Sequence, residues 1–309
     1  RTDPGGAVTT SLEIDRSTWM PRPSSIWTAG ASTGFSSGSY EYDAKGNILA
    51  IGDDWFEYDT RSRLNMASLE GRGGYQYFYD GLGNMIEAPF FSFDINPLTN
   101  HILTASNRLE PKAPQTAYSY VRGNLRSRDA ELFDWDPFDR MTRYSSGSSF
   151  HSYAYTGTNE RILTVPNGNL PWAQYTLRDA ENRVATELAG NGSGVSWMRD
   201  NVYLGSLLVG SYHSCASGSS PAWEYLSSDH LGTPRLATDT NGTTLWQKKY
   251  TPYGEELYPS NDSTDQPLEF ALMEKDFRFE DSNLTRYYDH ARTHSSTLGR
   301  FLSPDLLAG

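Results

Sequence analysis

The sequence has a single cysteine, Cys215, and few basic residues for its length of 309. One cysteine cannot form a disulfide within the chain, and it leaves the cellular compartment open. Lysine and arginine together number 26 against 38 for aspartate and glutamate, which gives a formal charge of −12. Such an acidic chain repels phosphate backbones, so we expect no nucleic-acid partner.

Long apolar runs are also missing. The longest, Tyr203–Tyr212, has about ten residues and contains two glycines, whereas a membrane-spanning helix needs roughly 20 apolar residues. We therefore expect no membrane span. The first 30 residues show no basic stretch followed by an apolar one, so no signal peptide is visible. Because the first residue is Arg1, we expect a processed or excised segment.

Aromatic residues and glycine are abundant instead. The chain has 20 Tyr, 13 Phe, 8 Trp and 27 Gly, and these residues favour strands and tight turns. Few stretches place apolar residues at helical spacing. The composition predicts an all-β chain.

A short pattern recurs along the chain. It is an aromatic residue, any residue, a second aromatic residue and Asp, followed by two residues of any type, Gly or a polar residue, and then Asn or Arg. Clear copies begin at Tyr40, Phe56, Tyr77, Phe91 and Phe133. Weaker copies begin at Tyr118, Tyr153 and Tyr175. Start-to-start spacings of about 14 to 21 residues fit one hairpin per copy.

The pattern predicts a β-hairpin with a defined turn. Aromatic residues at i and i+2 lie on one face of a strand. Asp ends the strand and accepts backbone N–H groups, while a glycine such as Gly46 or Gly83 supplies the positive φ that a hairpin loop with a bulge requires. The second aromatic of each clear copy should then pack at an equivalent position: Tyr42, Tyr58, Tyr79, Phe93 and Trp135.

Stacked hairpins bury each other's aromatic faces, because a single hairpin is only marginally stable in water. The pattern therefore predicts one continuous sheet with the aromatic residues in its core. The alternative is an aromatic platform that binds sugars or nucleobases. The strict alternation of aromatic residues favours packing.

The repeated Tyr-Asp pair resembles the YD repeat of the bacterial Rhs proteins, which are relatives of the Tc-toxin C subunits and the animal teneurins. Residues Asp229–Glu256 (DHLGTPRLATDTNGTTLWQKKYTPYGEE) are similar to the Rhs-associated core, which begins with Asp-His-Leu-Gly and ends with Tyr-x-Pro-Tyr/Phe-Gly-Glu. Residues Asp281–Asp305 resemble the closing signature of the family, with Tyr-Tyr, Ala-Arg, Leu-Gly-Arg-Phe and Ser-Pro-Asp.

The resemblance implies a spiral of stacked antiparallel β-hairpins that forms a hollow shell or tube. The matched motifs begin near residue 40, so we divide the chain into four parts. Residues 1–39 form an N-terminal cap, plug or lead-in, residues 40–212 the YD-repeat hairpins, residues 213–223 a loop, and residues 224–309 the Rhs-associated core.

Asp281 and Asp305 are the candidate catalytic residues. In the family, the matching aspartates are implicated in self-cleavage a few residues beyond the second one, which makes Gly309 the expected cleavage point. Two neighbouring carboxylates cannot both ionise cheaply, so one stays protonated as the acid while the other activates water against a peptide carbonyl. Arg292 and Arg300 are candidates for fixing the segment and for setting which carboxylate ionises.

Two departures from the family pattern affect this site. Glu280 precedes Asp281 where the family has Arg, so the cation beside Asp281 would have to come from Arg278 or Arg286. Leu306 stands where the family has Pro. The alternative is that both aspartates merely cap turns, as the repeat aspartates do.

No cofactor and no resident metal is expected. His213, Cys215 and His230 match no common zinc spacing. The chain has no Gly-rich phosphate loop, no Walker motif and no Gly-x-Ser-x-Gly elbow. Enzymatic activity would be at most a single-turnover aspartic self-cleavage at the C-terminus.

The length limits the shell that one chain can build. Roughly 15 hairpins of about 20 residues leave both ends of the sheet open, and open ends pair with another copy unless they are capped. We therefore expect end-to-end self-association into a tube or filament. A polypeptide cargo is the second partner that an enclosed space would allow.

Three function classes follow. The first is a secreted structural shell that encloses space or assembles end to end. The second is the self-cleaved shell fragment of a polymorphic toxin whose effector followed Gly309. The third is a glycan-binding or adhesion module. The expected localisation is extracellular or at the cell surface of a bacterium.

Overall fold

The computed structural model describes residues 8–17, 19–30, 34–70, 72–108, 114–190, 192–214, 220–257, 266–276, 285–290 and 292–305. Most of these residues lie in strands, and none lies in an α-helix. Two short 3₁₀ segments, Leu170–Trp172 and Phe270–Leu272, are the helical elements of the described ranges. The predicted all-β fold is confirmed.

The strands in chain order are β1 (Thr9–Asp15), β2 (Arg22–Ala29), β3 (Phe35–Tyr42), β4 (Ile48–Ile51), β5 (Asp54–Tyr58), β6 (Leu64–Leu69), β7 (Gly73–Gln76), β8 (Phe78–Tyr79), β9 (Met85–Ala88), β10 (Phe91–Asn96), β11 (His101–Asn107), β12 (Thr116–Val121), β13 (Asn124–Arg128), β14 (Glu131–Trp135), β15 (Met141–Ser146), β16 (Ser149–Tyr155), β17 (Arg161–Pro166), β18 (Gln174–Arg178), β19 (Val184–Gly190), β20 (Val195–Leu204), β21 (Leu207–His213), β22 (Ala222–Ser228), β23 (Pro234–Thr238), β24 (Thr244–Gln247), β25 (Glu274–Lys275), β26 (Arg286–Asp289), β27 (Arg292–Ser295) and β28 (Arg300–Phe301).

The chain divides into two compact units. Unit 1 contains residues 1–77 and 201–272, and unit 2 contains residues 78–200 and 273–309. In unit 1, β1 to β7 form one antiparallel sheet in sequence order, and β21 to β24 pair successively. The core of unit 1 gathers Ile26, Phe35, Tyr40 and Leu236.

Unit 2 repeats the same neighbour-to-neighbour pairing. Strands β8 to β19 follow one another as antiparallel partners, and β19 pairs with the first part of β20. Strands β25 to β28 form a separate four-stranded sheet. Phe133 and Tyr144, both fully buried, pack in the core with ring centroids 5.3 Å apart.

Where the hairpin turn begins with Asp, the Asp side chain closes it. At Asp43, the carboxylate Oδ1 accepts the backbone N–H groups of Lys45 and Asn47, both at 2.8 Å, and Oδ2 accepts the Asn47 side-chain amide at 2.7 Å. The Asp43 N–H donates to the carbonyl of Asn47, and the Gly46 N–H donates to the carbonyl of Asp43. Gly46 has φ of +90°, as a hairpin loop with a left-handed residue requires.

This turn recurs throughout both units. In each copy the first residue of the turn donates its N–H to the carbonyl of the residue four positions later. Its own carbonyl accepts the N–H of the residue three positions later, and that residue has a positive φ. The first residues are Asp43, Asp59, Asp80, Asp136, Thr156, Asp179, Asp229, Asp239 and Thr251. Most of these hairpins also carry a register shift just before the turn, such as the one at Glu41/Tyr42. The predicted hairpin with its bulge is confirmed.

The turn hydrogen bonds favour the ionised carboxylate. The backbone N–H of Arg63 holds the pKa of Asp59 below its ordinary value, and the side-chain amide of Asn84 does the same for the pKa of Asp80. At Asp136, desolvation opposes this effect, but the hydrogen bonds from Arg140 outweigh it and lower the pKa. A lowered carboxyl pKa stabilises the folded state at neutral pH, and that contribution is lost as the pH falls below the ordinary value.

Four of the five aromatic residues predicted to be equivalent do occupy the same position. Tyr42, Tyr58, Tyr79 and Trp135 are half-buried, and each pairs with the residue six positions on. The prediction is wrong for Phe93, which is buried and pairs with Ala105.

The Phe93 hairpin turns two residues later than the motif suggests. Strand β10 continues through Asp94 to Asn96, whose Oδ1 accepts the Leu98 N–H at 3.0 Å. Asn100, with φ of +55°, completes this turn. Asn96 therefore takes the role that Asp has elsewhere, and Asp94 is an exposed residue within the strand.

Removing the turn carboxylate should destabilise the chain. We expect Asp136→Ala to lower the free energy of unfolding by about 1 to 2 kcal/mol, the usual cost of losing a side chain that caps backbone N–H groups. Urea denaturation followed by circular dichroism measures this change. Asp94→Ala is the matched control, because Asp94 has the same place in the sequence motif and lies outside the turn. An equal loss in both variants would contradict the role of the turn carboxylate.

Candidate site in the C-terminal sheet

The described residues among those predicted to act in self-cleavage lie in or next to the sheet β25–β28. Strand β26 pairs with β25 and β27, and β27 pairs with β28. Residues 292–305, from the start of β27 to Asp305, are called the closing segment below. The closing segment carries three of the predicted site residues, Arg292, Arg300 and Asp305.

Arg292 and Asp305 are in contact. The Arg292 Nη1 lies 3.3 Å from the Asp305 Oδ2. The Arg292 guanidinium also lies over the Phe301 ring, 3.9 Å from its centroid. Because the stacking fixes the guanidinium, the ion pair positions the Asp305 carboxylate, whose side chain is 49% exposed. The Arg292 guanidinium thus lies between the Phe301 ring and the Asp305 carboxylate.

Arg300 points to a different part of unit 2. Its Nη1 donates to the Asn100 carbonyl at 3.1 Å, and its Nη2 donates to the Met85 carbonyl at 3.1 Å. The guanidinium lies 5.5 Å from the centroid of the Phe93 ring. Arg300 therefore ties β28 to the hairpins around β9 and β10.

The end of the closing segment is fixed against the β12–β13 hairpin. The Leu125 N–H donates to the Leu302 carbonyl at 2.8 Å, and the Leu302 N–H donates to the Thr293 carbonyl at 2.8 Å. At Gly123, where φ is +89°, a Cβ atom would lie 2.7 Å from Pro304 Cγ. This position requires glycine, because the Ser-Pro-Asp end of the segment lies directly against the turn.

Several predicted residues lie outside the described residues: Asp281, Glu280, Arg278, Leu306 and Gly309. The pairing of Asp281 with Asp305 therefore stays a prediction. Arg286, one of the two cations expected beside Asp281, is fully buried, with its guanidinium 3.7 Å from the Tyr144 ring centroid and 3.8 Å from Glu131. Its described contacts hold β26 against β14 and β15.

A buried ionic cluster joins the C-terminal sheet to the repeat hairpins. Arg161 Nη1 donates to Asp276 Oδ1 at 2.8 Å, and its guanidinium stacks 4.3 Å from the Tyr288 ring centroid. Arg178 contacts Glu274. The side chains of these four charged residues are at most 10% exposed. The cluster links Glu274 and Asp276 to strands β17 and β18 within unit 2.

This cluster was not predicted from the sequence, although a signal for it was present. Arg178 directly precedes the turn residue Asp179, where four of the five clear copies have Tyr or Trp. Arg161 pairs with Tyr155 at the position that is Ile48 in the first copy. Charged residues at positions that the repeat otherwise fills with apolar side chains indicate a buried ion pair.

Burial of these charges has a specific energetic consequence. The cost of desolvating them offsets much of the ion-pair attraction, so the cluster adds little net stability. Removing one partner, however, leaves an uncompensated buried charge, which typically costs 3 to 5 kcal/mol. The cluster therefore selects one docking arrangement for the C-terminal sheet.

His294 lies in the same sheet and is buried, with 7% exposure. Its ring meets the Phe301 ring edge-on, with centroids 5.4 Å apart. Desolvation lowers the pKa of His294 to about 4, from an ordinary value of 6.5. The folded state therefore holds a neutral imidazole at pH 5, whereas the unfolded chain binds a proton.

Because the folded pKa lies below the unfolded one, His294 should make the chain less stable as the pH falls from 6.5 toward 4. Between pH 7 and pH 5 we expect its contribution to be about 2 kcal/mol. Urea denaturation at both pH values, in wild type and His294→Gln, measures the difference. His290→Gln is the control, since the His290 side chain is 60% exposed. A wild-type pH dependence retained in His294→Gln would contradict this assignment.

The remaining sequence candidates concern only a metal ion. Among these residues, no group of three or more His, Cys, Asp and Glu is arranged to hold a metal ion. His213 and His230 are described, while Cys215 lies outside the described residues. No described helix has the length and apolar character needed to cross a membrane.

Comparison with known proteins supports the resemblance seen in the sequence. The family model described as RHS protein matches residues 224–257. Teneurin-3 of Mus musculus is 27% identical over 210 residues, which is 67% of this chain and 7% of the relative, and teneurin-3 of Danio rerio is 26% identical over 211 residues, with the same shares.

A solved structure agrees with these matches at the level of the fold. A chain of the TcdB2-TccC3-Cdc42 crystal structure superposes with a TM-score of 0.57 at 14% identity, over 97% of this chain and 17% of that chain. These matches make the chain similar to the Rhs/YD-repeat proteins. The chain spans 7% of the length of each of the two teneurins and 17% of the matched chain of the crystal structure.

Proposed function

We propose that this YD-repeat chain is a structural segment of a β-shell, whose role is to wall off an enclosed space. The observation that supports the proposal is the turn, repeated nine times from Asp43 to Thr251, which closes every such hairpin within five residues. Hairpins with such short turns can follow one another directly, so that each hairpin adds two strands to the sheet without an intervening helix or long loop. The role is extracellular or at the cell surface, as expected from the sequence.

The chain matches only a small part of each of these relatives, which favours a shell wall that is assembled from several segments. In this proposal the wall is completed either by further sequence or by other copies of the chain that pair end to end. The proposed contact is strand β1, the outermost strand of the seven-stranded sheet of unit 1. An outermost strand pairs readily with a strand of another chain, because main-chain pairing depends little on sequence.

Disruption of β1 should abolish self-association. We expect Leu12→Pro and Leu12→Lys to remain folded but to stay monomeric, because proline removes a donor and lysine disfavours edge pairing. Leu12 is 53% exposed, so its side chain contributes little to the packing of the core. Light scattering at high concentration and electron microscopy measure the assembly.

Leu98→Lys is the matched control for this experiment, since Leu98 is 87% exposed and lies in a turn of unit 2. It should assemble as wild type does. A wild-type chain that remains monomeric at high concentration would overturn the assembly, and equal assembly of all variants would overturn the role of β1.

A second role rests on the closing segment. We infer that Asp281 and Asp305 cleave the precursor once, in cis, after Gly309. Water activated by one carboxylate would add to the Gly309 carbonyl, the other carboxyl would protonate the leaving nitrogen, and the C–N bond would break. The ion pair between Arg292 and Asp305 supports this role, because it places one carboxylate on a fixed element.

The precursor should therefore fold and remain uncut when either aspartate is replaced. We expect a chain extended by about fifty residues past Gly309 to lose this extension with time, and Asp281→Asn and Asp305→Asn to retain it. Intact-mass spectrometry follows the reaction. Asp289→Asn is the control, because Asp289 lies in β26 of the same sheet and is not predicted to react.

Arg292→Gln should slow the cleavage without abolishing it, because it removes only the partner that positions Asp305. Equal cleavage in wild type and in both Asn variants would show that another protease cuts the chain and would leave the two aspartates as turn caps. Cleavage of this kind would match a toxin shell that separates from its effector.

A further inference from the structure

Two large apolar side chains lie in solvent at the tip of the first hairpin of unit 1. Strands β1 and β2 end their pairing at Asp15 and Arg22, and the loop between them consists of residues 16–21. In this loop Trp19 is fully exposed, and Met20 is 68% exposed. Adjacent apolar side chains in water are informative, because a folded chain gains free energy by burying them.

The base of the loop is fixed by polar contacts. The Ser17 N–H donates to Asp15 Oδ1 at 2.8 Å, and Arg22 Nε lies 3.6 Å from Asp15 Oδ2. The Arg22 guanidinium also lies over the Tyr42 ring, 4.0 Å from its centroid, and the Tyr42 hydroxyl donates to the Pro23 carbonyl at 2.7 Å. The tip therefore projects from a base that is held against β3.

Exposed apolar residues occur at other turns one at a time. Leu82, Leu98 and Phe138 are examples, and each is flanked in the sequence by glycine, proline or a polar residue. Single apolar residues on a surface are normal. The β1–β2 loop instead places Trp19 and Met20 side by side, and it lies outside the repeat motif, so the chemistry of the repeat turn does not account for the pair.

The exposed surface is too small for a stable protein partner. Side chains of this size bury roughly 300 to 400 Å² together, whereas a stable interface between proteins takes about 800 Å² from each partner. A lipid bilayer needs no complementary shape and buries small apolar protrusions among its head groups. Tryptophan is enriched at membrane–water interfaces, because its ring is apolar and its N–H is polar.

The charges near the tip indicate which kind of bilayer surface it suits. Arg16 and Arg22 flank the loop, and Glu13 and Asp15 lie in the adjoining part of β1, so two positive and two negative charges cancel. The whole chain has a formal charge of −12, which anionic head groups repel. Burial of apolar surface, and not charge, must therefore supply the attraction.

We propose that the β1–β2 loop inserts Trp19 and Met20 into the head-group region of a phospholipid bilayer and so attaches the chain to a membrane surface. The Trp19 ring lies at the boundary between head groups and acyl chains, and the Arg16 guanidinium stays among the phosphate groups. The contact is peripheral. It depends on neither shell assembly nor self-cleavage, so either of those proposals can fail without affecting it.

Sedimentation of the whole chain with sucrose-loaded phosphatidylcholine vesicles tests the proposal. We expect wild type to bind at roughly millimolar lipid, because one such tip buries less apolar surface than one fatty-acyl chain does. Trp19→Ser should lower the partition coefficient at least about tenfold, and Met20→Ser about threefold or more. Both variants should keep the wild-type circular dichroism spectrum, since both residues are exposed.

A second measurement separates insertion from adhesion to the surface. Bromine-labelled phosphatidylcholine quenches the fluorescence of tryptophan that enters the bilayer, so wild type should lose part of its emission when it binds. Trp19→Phe keeps an apolar ring and removes the indole. It should bind within about threefold of wild type and lose most of the quenching.

Phe138→Ser is the matched control. Phe138 is an aromatic residue with 66% exposure at a turn of unit 2, where its N–H donates to Asp136. Its replacement removes an exposed ring of similar size that has no adjacent apolar residue. Phe138→Ser should therefore bind the vesicles as wild type does.

The proposal is overturned if wild type does not bind phosphatidylcholine vesicles, or if Trp19→Ser binds as well as Phe138→Ser. It is also overturned if binding requires phosphatidylserine, which would show an electrostatic surface. Retention of full quenching in Trp19→Phe would place a different tryptophan in the bilayer. Loss of self-association in Trp19→Ser, with no binding of wild type to vesicles, would assign the tip to contact with a second copy of the chain.

Discussion

The bond between a turn carboxylate and the backbone N–H groups that follow it is the interaction on which the rest of this structure depends. A hairpin loop turns its first N–H groups away from both strands, and those groups need acceptors. Asp43 supplies one side chain that accepts two of them and also holds the amide of Asn47. Because each hairpin satisfies its own turn, the next strand can pair at once, and neighbour-to-neighbour pairing follows along most of the chain.

The same turn explains which parts of the fold could be predicted from the sequence. An Asp followed three positions later by a residue that adopts a left-handed conformation is a local signal for the hairpin turn. The hairpins, and the equivalent positions of Tyr42 and Tyr58 just before their turns, were therefore predictable. Phe93 was misplaced because the motif was anchored on Asp94, while Asn96 has the same capping chemistry and a suitable partner in Asn100. When two cap residues lie close together, strand pairing decides between them, and the linear pattern does not contain that information.

The sites were less predictable than the fold, since they join residues that are distant in sequence. Arg161 meets Asp276 across 115 positions. Arg292 contacts Asp305, and Arg300 binds the carbonyl groups of Asn100 and Met85, while the roles of both arginines in self-cleavage stay predictions. Both units thus use the same hairpin scaffold, and each departs from aromatic packing at a few positions, with buried charges in unit 2 and an exposed apolar loop in unit 1.

The distribution of these contacts along the chain also has a kinetic consequence. Hairpin contacts span only a few residues and close in microseconds, whereas contacts between distant residues must wait for the loop between them to close. Arg300 reaches Met85 across 215 positions. During synthesis the hairpins would therefore form as they leave the ribosome, and the C-terminal sheet, made last, would dock on strands that are already paired. Chemistry that depends on that sheet would begin only after the rest of the chain had folded.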